Sequence, residues 1–185
     1  MKPVYAVLGT NSTYTVEAAR RYWGDDISLL GLRCIREVFE VVTEGWVAGG
    51  MVPAENSIAG QVAETAAGLR EYPVAVAGEI WIPIHHCLLA FQPLELSEIE
   101  LVVSQRQVFS QCRRFLREYV AQATLVAVSN TEKAVQLAKL AGGKTAAIGS
   151  ASAAELNGMY VLARGIQDID HNRTRFIHII PQQSH

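Results

Sequence analysis

The chain has 185 residues, half of them hydrophobic and 18% charged, enough for one domain or two small lobes around a sizeable core. A net charge of −2 and scattered basic residues, with Arg20-Arg21 and Arg113-Arg114 as isolated pairs, provide no field to draw it to nucleic acid or an anionic membrane. It has no apolar run of about 18 residues to span a bilayer, "MKPVYAVLG" is too short a run for a signal peptide, and three cysteines without a CxxC suit reduced thiols in a cytoplasm.

In chain order, "VYAVLG" reads as a buried strand and "TVEAARRYWG" as a helix stopped by Gly24. "ISLLGL" is a second strand. "IREVFEVVTEG" is a helix with Ile35, Val38, Phe39 and Val42 at spacings of three and four. "VAGGMVP" is strand-like and runs into "AENSIAG"; "VAETAAGLREY" is helical. "VAVAGEIWIPIHHCLLAF" is one long extended stretch, able to cross from one lobe to another. Near Ile99 the pattern restarts: strands "IELVVS", "TLVAV" and "TAAIG" alternate with helices "QVFSQCRRFLREYV", "TEKAVQLAKLAG" and "ASAAELNG". "MYVLA" and "TRFIHII" are the last strands. The alternation argues for an α/β chain of mostly parallel sheets flanked by helices. The expected lobes are 1–82 with 174–185, and 83–173, so that the chain crosses twice and leaves a cleft between them.

Ligands of open α/β sheets bind beyond the carboxyl ends of strands, where helices begin. Four such loops are rich in hydroxyls and amides. In "GTNSTYT", Ser12, Thr13 or Thr15 offers a hydroxyl, or simply an N-cap. In "VPAENSIAG", Glu55, Asn56 and Ser57 follow a strand end, where a turn is the plainer account. In "SQRQVFSQC", Gln107 and Gln111 share a helix face and Ser104 is placed to cap the helix. In "SNTEKA", Ser129 and Glu132 match a capping box, which leaves Thr131 no necessary role. His85 and His86 point to opposite faces of an extended stretch and suit packing better than a shared metal. Cys112 reads as a buried structural thiol.

Taken together, "VPAENSIAGQV", "GEIWIPIHHCLL", "SQRQVFSQC", "AAIGSASAAELNGMYVLARGIQD" and "HNRTRF" resemble, in order and spacing, the catalytic domain of prephenate dehydratase over nearly the whole chain. The resemblance implies two α/β lobes similar to type II periplasmic binding proteins, with the site between them. It implies conversion of prephenate to phenylpyruvate in phenylalanine biosynthesis, a carbon-oxygen lyase reaction with prephenate as small-molecule partner, no cofactor and no metal. It also implies a homodimer. The family's Thr-Arg-Phe motif is intact as Thr174, Arg175 and Phe176, and its threonine is the catalytic candidate. Glu55, Asn56 and Ser57 match. Ser104, Gln107, Gln111 and Cys112 match, but Gln105 and Arg106 replace the family's His and Pro. Thr13 and Thr131 keep their places, whereas Ser12 replaces a glycine and Asn130 a serine.

The resemblance thus makes Thr174 catalytic and Thr13, Asn56, Ser57, Gln107, Gln111, Thr131 and Phe176 substrate-binding. Glu55, Ser104 and Arg175 stand at the margin. Alternation along a strand puts Thr174 and Phe176 on one face and Arg175 on the other, where an ion pair fixing the strand is expected. Only nine residues follow Phe176, so the ACT regulatory domain of many relatives, and feedback by phenylalanine through it, are not expected. The competing readings are a prephenate decarboxylase that does not aromatise its product and a non-catalytic ligand-binding module.

Overall fold

The computed structural model describes residues 2–9 and 13–182. In chain order they form β1 (Val4–Leu8), α1 (Tyr14–Trp23), β2 (Ser28–Leu32), α2 (Ile35–Thr43), β3 (Gly49–Asn56), β4 (Gly60–Gln61), α3 (Ala63–Glu71), β5 (Val74–Pro83) and β6 (Cys87–Ala90). There follow β7 (Leu101–Gln105), α4 (Arg106–Gln111), α5 (Arg113–Tyr119), β8 (Thr124–Val128), α6 (Thr131–Ala141), β9 (Thr145–Gly149), α7 (Ala151–Asn157), β10 (Tyr160–Arg164) and β11 (Arg173–Pro181). They divide into two compact units, Met1–Ile84 with His171–His185, and His85–Asp170.

The first unit holds a sheet in the order β2-β1-β3-β11-β5, with β4 paired to β3; the second holds the order β10-β6-β9-β7-β8. Strands β1, β2 and β3 pair in parallel, as do β7, β8 and β9. Each sheet is nevertheless mixed. β11 runs against β3 and β5, and β6 runs against β9 and β10. The two reversed strands are those that follow the chain's passages from one sheet to the other: β6 follows β5 through Ile84–His86, and β11 follows β10 through 165–172.

In the first unit one core cluster packs Val38, Phe39 and Val42 of α2 against Val52, Ile177 and Ile179. A second packs Val16, Ala18 and Ala19 of α1 against Val7, Met51, Ile82 and Phe176. β11 is central and contributes residues to both. In the second unit Val103, Ala147 and Leu89 meet Ala134, Val135 and Ala138 of α6, while Val102, Ile148 and Leu88 meet Val108 and Leu116 of α4 and α5.

The single helix predicted over 107–120 is two. The Gln111 carbonyl accepts from the Asp168 backbone N–H (2.6 Å), and the Asp168 carboxylate accepts from the Arg114 N–H (3.0 Å). One aspartate therefore satisfies the end of α4 and the start of α5, and Cys112 between them leaves helical geometry (φ −122°, ψ 21°). Among the described residues no helix is long and apolar enough to cross a membrane.

Candidate functional site

The first unit gathers its polar candidates where β1 and β3 end and β11 begins. Thr174 pairs with Asn56 across β11 and β3. The Asn56 amide donates to Asn172 Oδ1 (2.7 Å) and Thr174 Oγ1 (2.9 Å), with a longer contact to the Arg173 carbonyl (3.4 Å). Its own Oδ1 accepts from the backbone N–H groups of Ile58 (3.0 Å) and Ala59 (2.9 Å). Those two donors fix which end of the amide is oxygen, so the nitrogen must face Thr174. The Thr174 hydroxyl therefore accepts from Asn56, and its own hydrogen has no acceptor among the described residues. Thr174 is only 9% exposed and Asn172 only 3%, while Asn56 between them is half-buried.

Ser57 ties the same turn to the approach of β11. Its Oγ donates to the His171 carbonyl (3.3 Å) and accepts from the Arg173 N–H (3.0 Å), while its backbone N–H donates to the Arg173 carbonyl (2.9 Å). Arg175 makes the expected ion pairs, with Glu55 (3.3 Å) and Glu79 (2.9 Å), from flanking strands.

Two of the candidates in this unit have structural contacts of their own. Phe176 does share the face of Thr174, but it is 2% exposed and belongs to the core under α1, because that face of the sheet is covered there. There it packs the strand against Val16, Ala18 and Ala19 of α1. Thr13 is the N-cap of α1. Its hydroxyl donates to the Leu8 carbonyl (3.0 Å) and accepts from the Val16 N–H (3.4 Å), so its single hydrogen is already committed. Thr15 is buried in α1. Ser12 lies outside the described residues.

In the second unit the third and fourth loops lie at the same end of the parallel strands β7 and β8, joined by a hydrogen bond from the Gln105 amide to the Ser129 carbonyl (3.1 Å). Ser104 is buried inside β7 and caps nothing; the cap position of α4 is Gln105, which makes no side-chain cap bond. The capping box expected at Ser129 also moves. Asn130 is the N-cap of α6 and accepts from the Lys133 N–H (2.8 Å). Thr131 is then the first helical residue. Gln107 is exposed on α4, and neither its amide nor the Thr131 hydroxyl is engaged among the described residues. Gln111 is engaged, at 2.8 Å from His86 Nε2.

His86 and Gln167 were not singled out as binding residues, yet both are buried and polar. Gln167 accepts from the His86 backbone N–H (2.9 Å) and its amide meets His85 Nδ1 (3.2 Å). Burial lowers the His86 pKa, opposed by the bond to Gln111. Burial likewise pushes the Cys112 thiol up to about 12, with a smaller contribution from Asp168, as befits a structural thiol. Asn172 was visible only as a polar residue before an apolar strand; its partnership with Asn56, 116 residues away in sequence, had no local signal. Among the described residues no group of three or more His, Cys, Asp or Glu could hold a metal ion.

Two mixed α/β units, one bearing a nearly buried hydroxyl that accepts from a half-buried amide at its strand ends, define the class of protein. The chain belongs to the prephenate dehydratase family, whose model, described as "Prephenate dehydratase", matches residues 5–184. It is 34% identical over 178 residues to a bifunctional chorismate mutase/prephenate dehydratase of Stutzerimonas stutzeri, covering 96% of this chain and 48% of that protein. It is 37% identical over 136 residues to arogenate dehydratase 5, chloroplastic, of Arabidopsis thaliana, covering 72% of this chain and 32% of that one. The prephenate dehydratase of Arthrobacter aurescens, solved in complex with L-Phe, superposes with a TM-score of 0.88 at 28% identity, over 98% of this chain and 60% of that one. The chain spans about half the length, or less, of the curated relatives it matches.

Proposed function

We propose that this chain catalyses loss of carbon dioxide and water from prephenate to give phenylpyruvate. Breaking the bond to the ring carboxylate releases carbon dioxide and leaves its electron pair in the ring. That pair completes the aromatic system and expels the ring hydroxyl, which takes up a proton and leaves as water. Aromatisation makes the reaction strongly downhill, so the chemistry calls for no cofactor. The demanding step is departure of hydroxide, which needs a donor aimed at the leaving oxygen.

The observation that carries this reading is the direction of the Asn56–Thr174 hydrogen bond. Because Thr174 Oγ1 accepts from Asn56, its O–H is left to donate. A threonine hydroxyl is a weak acid. It acts by hydrogen bonding to the developing charge or by relaying a proton, and the donated bond from Asn56 strengthens it for either task. Gln107 and Thr131 are assigned to the substrate's carboxylates and pyruvyl group, because their polar groups are uncommitted. Neutral donors suit the departing carboxylate, since a tight ion pair there would stabilise the ground state. Asn56, Ser57 and Asn172 are positioning residues, and Arg175 fixes the strand.

The test is incubation with prephenate followed by identification of the product by mass and NMR. Phenylpyruvate is expected. A product that retains the ring hydroxyl would establish a non-aromatising decarboxylase, and saturable binding without turnover a binding module. Offering arogenate, prephenate's counterpart with an amino group in place of the keto oxygen, in the same assay defines the substrate range.

A further inference from the structure

We propose that the second unit carries a separate ligand site, in the groove along α4, α5 and the β8 edge, and that it takes an organic anion with an apolar body. The groove has a volume of about 680 Å³, within the range of small-molecule sites. Phe109, Leu116 and Val120 form its floor, and Leu125, 46% exposed on an edge strand, forms a wall. Arg106, Arg113 and Arg117 line it, and no acidic side chain does.

The state of those arginines points to the ligand. Arg20, Arg21, Arg33, Arg36 and Arg175 each have a carboxylate partner, and Arg70, Arg114, Arg164 and Arg173 form no ion pair among the described residues but do not line the groove. Arg106, Arg113 and Arg117 have none among the described residues. Arg113 and Arg117 stand four apart on α5, so two like charges share one face over an apolar floor. That arrangement is unfavourable alone and is relieved by an anion. The apolar floor selects an anion with a hydrophobic body, and forked guanidinium groups favour carboxylate, sulfonate or phosphate. None of these residues belongs to the positions assigned to prephenate.

Fluorescence titration of the whole chain with anilinonaphthalene sulfonate tests the proposal. Saturable binding is expected, weakened roughly tenfold or more in the Arg113→Glu/Arg117→Glu variant. Arg70→Glu, the same charge change in the other unit, should leave binding unchanged. Circular dichroism and thermal melting establish that each variant is folded, and Arg113→Gln/Arg117→Gln carries the test if the reversal unfolds. An alkyl sulfate should displace the dye and the alkyl trimethylammonium of equal length should not. Equal binding by the double variant, equal loss in Arg70→Glu, or absence of saturation would overturn the site. So would dye binding that follows self-association in parallel sedimentation runs, which would mark the groove as a face for a second copy.

Discussion

Replacing Asn56 by Asp changes one nitrogen to oxygen and little else in shape. The Oδ1 that accepts from Ile58 and Ala59 can remain, because a carboxylate accepts equally well. The other oxygen now faces Thr174 Oγ1, 2.9 Å away in the parent, and Asn172 Oδ1, 2.7 Å away. Thr174 must turn its hydrogen inward to donate to the introduced carboxylate, so the bond survives but reverses. Asn172 must rotate its amide or face oxygen with oxygen. Loss of the two donated bonds costs about 1–2 kcal/mol of stability, partly recovered by the new one. The effect on turnover is larger, because the outward donor is lost: about 10²–10³ in kcat, with KM changed little. Steady-state dehydration of prephenate, read as phenylpyruvate formed, measures both constants. Thr174→Val should lose a similar amount, and combining the substitutions should add almost nothing, since both remove one donor. A folded Asn56→Asp protein with turnover within about twofold of the parent would refute the assignment of Asn56 and Thr174 as one unit.

Gly68→Ala should destabilise the first unit. The added methyl meets the buried Phe39 ring at 2.5–2.7 Å, and overpacking of about 1–3 kcal/mol exceeds the gain of roughly 1 kcal/mol in helix propensity, so thermal melting should fall. Cys112 should resist iodoacetamide in the folded protein at pH values where exposed Cys34 reacts, and become reactive on denaturation, because burial holds its thiol protonated up to about 12. His86, with its pKa lowered by burial from 6.5, favours folding fully above that value; as pH falls below it the unfolded chain gains a proton the folded one resists, and stability declines. His178, lowered by burial too, adds to the same acid-side loss, so His86→Gln should flatten the melting-temperature curve below about pH 6.5 without abolishing it.

Much of this was legible in the residues. The α2 stripe of Ile35, Val38, Phe39 and Val42 is buried as its spacing predicts, because one face of a surface helix must meet the sheet. The ion pairs of Arg175 followed from strand alternation. What the sequence hid was set by distant partners. Asp168 divides a continuous helical pattern at Cys112 by supplying a donor and an acceptor from another loop. Phe176 obeys the alternation that puts it beside Thr174, yet the covering by α1 that makes it core is tertiary. The direction of the Asn56–Thr174 bond rests on the two N–H groups that orient one amide, and no spacing rule contains that.

The place of β11 in the first sheet has a consequence for how the chain is made. Residues 85–170 form a continuous unit, complete before the final strand is translated. The first unit is different: β3 and β5 both pair with β11 and not with each other, so the edge of each that β11 covers stays unpaired until residues 173–181 emerge from the ribosome. The earlier-synthesised half must therefore finish folding last, around the strand that carries Thr174. During that interval two apolar edges are open to other chains, the circumstance in which nascent α/β proteins aggregate. Ribosome-stalled chains in which residue 170 has emerged but β11 has not should protect the second unit from protease and leave the first sensitive.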